Sequence, residues 1–210
     1  MRKFKLSMMV IVLTIASIGQ VSAQGVLDEI KNIANAAGVN SSTVTDAISN
    51  VIGSSTAITA KDLIGTWKYN GSRCAFQSAN LLAQAGGEVA ANKIESNLNS
   101  YYSKMGIRST NTQFTFNEDK TFAAKVYGRN ITGTYTYDAK QKKITCQGLL
   151  LSFPCYVTKT GSNLNLLFES SKLLTLLQTV AKLSGNSTLS TIGTLSKNYK
   201  GAKIGFRMKK

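Results

Sequence analysis

Histidine is absent from this sequence, proline and tryptophan occur once each, and 10 acidic residues face 25 lysines and arginines. Without histidine the chain lacks the side chain that most often serves as general base and most often binds a metal. A Gly-x-Ser-x-Gly elbow, a phosphate-cradling glycine loop and metal-ligand spacings are missing as well. The adjacent carboxylate pairs are Asp28-Glu29 and Glu118-Asp119. The second lies in a turn-like Asn-Glu-Asp-Lys stretch, where a solvated role is expected. Three cysteines remain, with no histidine to activate them as nucleophiles. These gaps point to a chain that is not an enzyme, with no cofactor and no metal.

The 210 residues are 43% hydrophobic, which excludes disorder, and no repeat of fixed period is visible. That length makes one main domain with room for a small extension. Residues 1–23 carry Arg2, Lys3 and Lys5, an apolar run from Leu6 to Ile18, and Val21-Ser22-Ala23. This order is that of a secretory signal peptide cut after Ala23, so export to the periplasm or the medium is expected. The run is shorter than the ~20 residues of a membrane span, and no transmembrane segment is expected elsewhere. Removing three cations and no acid lowers the formal charge from +15 to +12. Export argues against nucleic acid as the partner of so basic a chain. Weak contact with an anionic envelope surface is the alternative to a merely solvated excess, and oligomeric state is not legible. The tightest basic cluster is Lys197, Lys200, Lys203, Arg207, Lys209 and Lys210.

Residues 24–58 read as a short extension of two helices, the second carrying Val44, Ala47, Ile48, Val51 and Ile52, followed by the linker Gly53–Thr56. The main domain then runs over 59–210. Leu63, Gly65, Trp67 and Tyr69 alternate on one strand face, and a helical stretch from Ser78 to Met105 is interrupted at Gly86-Gly87. After Gly106 the period falls to two, with turns at 117–120, at Gly128-Arg129-Asn130, at 138–143 and at 160–163. Two helices follow, from Ser170 or Ser171 to Leu183 and from Asn186 or Ser187 to Tyr199, and Ile204, Phe206 and Met208 close the chain as a last strand. Eight strands linked mostly by hairpins suit an up-and-down barrel. If residues 149–152 turn near Leu150, Cys146 and Cys155 face each other and can form a disulfide; three buried thiols are the alternative.

Gly65-Thr66-Trp67 at the first strand of such a meander resembles the Gly-x-Trp that opens lipocalin and fatty-acid-binding (calycin) barrels. The segments 80–88 (Asn-Leu-Leu-Ala-Gln-Ala-Gly-Gly-Glu) and 133–138 (Gly-Thr-Tyr-Thr-Tyr-Asp) are similar to exported, uncharacterised lipocalin-like domains of Bacteroides-type bacteria. The resemblance covers residues 62–210. It implies a mainly β, eight-stranded antiparallel barrel with helical insertions after strand 1 and before the last strand. It also implies that Trp67 closes the barrel's bottom and packs against an Arg near the chain's end, for which Arg207 is the match. The helical insertions depart from the lipocalin pattern and can cap or fill the mouth.

A candidate binding site follows. Trp67, Phe114, Phe116, Phe122, Val126, Tyr135, Leu166 and Phe206, with Ile131, Ile144, Val157 and Leu164, share the apolar face of their strands. They line either a pocket for a small hydrophobic or amphipathic ligand or a packed core. Arg207 could anchor a ligand carboxylate, although it alternates with Phe206 and Met208 and so points to the other face. The expected function is non-catalytic ligand binding. The alternative is an envelope interaction or scaffold protein with a filled barrel, acting through its helices or basic C-terminus.

Overall fold

The computed structural model describes residues 50–52, 58–85, 87–149, 152–183 and 201–210. Among them are eight strands: β1 (Gly65–Phe76), β2 (Gln113–Phe116), β3 (Thr121–Val126), β4 (Arg129–Asp138), β5 (Lys143–Gly148), β6 (Ser152–Thr160), β7 (Asn163–Phe168) and β8 (Ala202–Lys209). Each pairs antiparallel with the next, and β8 returns to β1, closing the barrel. The helices are α1 (Ala60–Leu63), α2 (Ala79–Gln84), α3 (Gly87–Lys104) and α4 (Ser170–Leu183). Helices thus follow the first strand and precede the last, as expected. The segment 1–49 and the helix expected at 186–199 lie outside the described residues.

Local chemistry sets the boundaries. The strand expected from Leu63 begins two residues later, because Thr59 and Asp62 form a reciprocal capping box that starts α1 and carries Leu63 into a helical turn. The β3–β4 turn sits at Tyr127-Gly128, one residue before the expected Gly128–Asn130, since Val126 pairs with Arg129. Both turn residues have positive φ (51° and 79°), the requirement of a two-residue hairpin loop that follows the sheet twist. The break at Gly86-Gly87 holds: α2 and α3 are separate helices, and Gly87 has φ 70°.

β1 has twelve residues and β2 four, so the upper half of β1 has no β2 beside it. A register shift between Tyr69 and Ser72, with Gly71 at φ 123°, lets β1 continue along β8. Side chains of α3 serve the bare edge: Asn99 Oδ1 accepts from the Ser72 amide at 2.8 Å and Glu95 Oε1 from the Cys74 amide at 3.0 Å. At the end of β1, Phe76 makes backbone hydrogen bonds with Asn50 and Ile52 of 2.7 and 2.9 Å. Val51 forms a parallel bridge there, and the helix expected to include Val51 and Ile52 does not reach them. Ile52 packs with Ala75, Leu167 and Tyr156 on the outside of the barrel, and Lys142 Nζ and Tyr137 OH donate to the carbonyls of Ile52 and Ile58. Residues 50–52 and Ile58 are therefore bonded into the barrel.

Candidate functional site

The apolar face predicted from alternation turns inward as a continuous body of rings. Phe206 of β8 lies 6.2 Å from Phe114 of β2 and 6.0 Å from Phe168 of β7. Phe168 lies 6.2 Å from Phe153 of β6, and Phe153 meets Phe122 of β3 edge-on at 5.9 Å. β3 and β6 are not neighbours in the sheet, so this contact spans the lumen. Phe116 lies 6.5 Å from Phe114 and 5.1 Å from Tyr135. Tyr102 of α3 enters the same body, 5.3 Å from Phe206. Trp67, Val126, Leu166 and all of these Phe and Tyr residues are at most 3% exposed. Such ring spacings are those of a packed interior.

Both ends of the barrel are engaged. At the end near α1, the Trp67 indole N–H donates to the Leu63 carbonyl at 2.8 Å, and Lys159 reaches Asp62 at 3.0 Å. The Thr59 hydroxyl and amide, then Lys159, hold the Asp62 carboxyl well below the usual carboxylate range. The Tyr135 hydroxyl donates to the Asn117 carbonyl at 2.9 Å, so its polar end is spent on the β2–β3 turn. At the other end Ala91, Ile94 and Leu98 of α3 and Leu173, Leu176, Leu177 and Val180 of α4 join the same core.

Arg207 stands on the outer face, paired across the sheet with Asn165. Its guanidinium donates to Glu95 Oε2 at 3.2 Å, while Arg73 donates to Glu95 Oε1 at 3.0 Å. Burial lowers the pKa of Arg73, opposed by the Glu95 charge. The anchor role considered for Arg207 inside the barrel is thus unavailable in this arrangement, for the reason its parity gave. The three cysteines are free thiols. Cys146 pairs with Phe153 and Cys155 with Ile144, so the hairpin centres between positions 149 and 150, and the two thiols are diagonal rather than opposite. Burial pushes Cys155 up to about 12 and Cys146 well above its ordinary value; burial and then Glu95 push Cys74 to about 12. Among the described residues no three Cys, Asp or Glu side chains gather as a metal-ligand set, and no helix is long and apolar enough to cross a membrane.

A family model described as a lipocalin-like domain (DUF4923) matches residues 30–210. The chain belongs to this lipocalin-like family. The match begins well before position 59, in keeping with the attachment of residues 50–52 and Ile58 to the barrel. No curated protein matches the sequence. A solved DUF4847-family protein from Bacteroides vulgatus ATCC 8482 is similar at 12% identity, with a TM-score of 0.36, over 70% of this chain and 92% of that one.

In this lipocalin-like domain the cation over Trp67 is not the expected one. Lys210 Nζ lies 4.8 Å from the centre of the Trp67 ring, and Arg207 is drawn away to Glu95. The register explains the exchange: Lys68 pairs with Lys209, which brings position 210 beside Trp67. Three interior rings were outside the predicted site. Phe153 shares the parity of Cys155 and Val157, and Phe168 that of Leu164 and Leu166, so both were within reach of alternation. Tyr102 was not, because its entry into the barrel depends on α3 lying against β1.

Proposed function

We propose that this lipocalin-like domain is exported and non-catalytic, with a packed barrel that serves as a rigid scaffold and with binding carried out on its exterior. The observation that carries this reading is the direct contact of Phe122 and Phe153 across the lumen, continuous with the Phe168, Phe206 and Phe114 rings. A non-catalytic role is supported by the lack of histidine and by thiols whose burial keeps them protonated at neutral pH. Export rests on the signal-peptide pattern of residues 1–23. The excess of basic residues supports contact with an anionic envelope surface rather than with nucleic acid.

A second reading places a small hydrophobic or amphipathic ligand inside, among Trp67, Phe114, Phe116, Phe122, Val126, Tyr135, Leu166 and Phe206. The wholly apolar lining favours it, at the cost of parting rings that now touch. Native mass spectrometry of the protein purified gently from its periplasm separates the two. The polypeptide mass alone, together with no saturable uptake of an apolar fluorophore, is expected. An added mass of a few hundred daltons, lost on denaturation, would overturn the scaffold reading.

A further inference from the structure

The exterior of the barrel is divided. Over β7 and β8 both faces are buried, whereas every second residue of β4 is open: Thr132, Thr134 and Thr136 are exposed. The pairing registers extend these positions into rows across neighbouring strands. One row is Thr66–Thr115–Ala123–Thr132 and the next is Thr121–Thr134–Gln147. The hydroxyls of Thr66 and Thr115 lie 2.9 Å apart, as in a cross-strand ladder. On the other side of the first row runs Lys209–Lys68–Gln113–Lys125–Asn130, all joined by direct pairing. Neighbouring strands are about 4.8 Å apart, so Lys68 and Lys125 stand about 10 Å apart, with an amide between them.

Of the acidic residues, some are neutralised by cations and others stand at the edge of this face. Asp62, Glu95 and Glu169 are neutralised by Lys159, by Arg73 with Arg207, and by Lys203. Asp119 sits with Glu118 in the β2–β3 turn at the edge of this face, its Oδ1 accepting from the Thr121 amide and hydroxyl at 2.9 and 2.6 Å, and β4 adds Asp138 at its last residue. Lys68, Lys125 and Lys209 form no ion pair among the described residues. Large apolar side chains are missing from these rows too, with Ala123 their one aliphatic member. A protein interface would want buried aromatic or aliphatic anchors, and a bilayer would want an apolar wedge. A lattice of hydroxyls and amides bordered by a cationic row offers neither. It offers hydrogen bonds to ring hydroxyls and charge to acid groups spaced along an extended chain.

We infer that the open face of β1–β5 binds a linear anionic polysaccharide, with the Lys209–Lys68–Lys125 row taking its acid groups and the threonine rows its hydroxyls. This rests on the reading that the domain binds through its exterior. The test is affinity electrophoresis of the full mature chain in native gels containing polygalacturonate, with neutral dextran as control. Retardation by polygalacturonate and not by dextran is expected. The triple variant Lys68→Gln, Lys125→Gln, Lys209→Gln should weaken it roughly tenfold or more, the scale of several lost charge contacts. Thr132→Val with Thr134→Val keeps charge and strand preference and should weaken it several-fold. Lys172→Gln with Lys182→Gln, on α4, should leave it nearly unchanged. Equal loss in the α4 variant would overturn the assigned face, and absence of retardation would overturn the inference. Equally tight binding of duplex DNA or phosphatidylglycerol vesicles would overturn the sugar assignment. A bare polypeptide in the native mass spectrum with no retardation rejects the polysaccharide and leaves the packed barrel standing, whereas an internal ligand rejects the scaffold reading itself.

Discussion

Replacing Phe206 with alanine removes the ring on which four others converge: Tyr69 at 6.1 Å, Tyr102 at 5.3 Å, Phe114 at 6.2 Å and Phe168 at 6.0 Å. Phe206 is 0% exposed, so every atom removed is lost from the core. A rigid surround would leave a void of about 100 Å³, which at about 24 cal/mol per Å³ contributes ~2.4 kcal/mol. Lost transfer of the ring adds about 2 kcal/mol, for a total near 4 kcal/mol, within the usual span for Phe→Ala. Urea unfolding followed by circular dichroism reads this as a fall in midpoint at unchanged slope. Benzene should then restore part of the stability of Phe206→Ala and leave the wild type unaffected, because only the variant has a dry hole to fill. A loss under about 1.5 kcal/mol, or benzene stabilisation of the wild type, would refute the packed interior, since either means that Phe206 already borders open space.

Other consequences are open to test. Trp67→Ala should cost about 3–5 kcal/mol, while Lys210→Gln, which removes an exposed cation from the ring, should cost at most about 1 kcal/mol; denaturation midpoints of both decide whether Trp67 or its cation seals that end. Native protein should resist thiol alkylation at pH 8 and take up three labels once unfolded without reductant, as read by intact mass; a single label would reveal a Cys146–Cys155 cystine. The folded Asp62 pKa is depressed, so its contribution is full above the unfolded value near 3.8 and lost as pH falls further toward the folded one. The stability gap between wild type and Asp62→Asn should therefore hold from neutral pH to about 5 and shrink below about 4, and a gap that widens in acid would contradict the bonding to Thr59 and Lys159. Gly205→Ala drives a Cβ into the Leu166 carbonyl oxygen, a backbone atom with nowhere to yield, so this variant should fail to give a cooperative melt.

Alternation with period two was enough to find the strand faces from Phe114 to Cys155, because one side of those strands meets the core and the other is open or only half-buried. It failed where that contrast fails. Beyond Tyr69, the shift at Gly71 changes the parity of β1, and Arg73 is buried against Glu95 rather than solvated, so Asn70–Phe76 did not read as a strand. Val51 and Ile52 have helical spacing with the residues before them, yet the free backbone groups of Phe76 hold them extended. The apolar interior was legible residue by residue, but its filling was not. Whether inward rings leave a gap depends on which non-adjacent strands they touch, and the Phe122–Phe153 contact is a property of barrel closure. The exchange of Arg207 for Lys210 at Trp67 also turned on a partner, Glu95, that is over a hundred positions from Arg207 in the chain.

The pairing of β1 with β8 also orders events in time. Its partners, from Lys68 with Lys209 to Phe76 with Ala202, are more than 120 positions apart, and they include the last strand of the barrel. Loop closure over such a span is paid before its hydrogen bonds form, which slows folding. The cation over Trp67 is the final residue of the sequence, Lys210. The first and last staves of the barrel therefore stay apart until β8 has been made, and the ring shuts only when both are present.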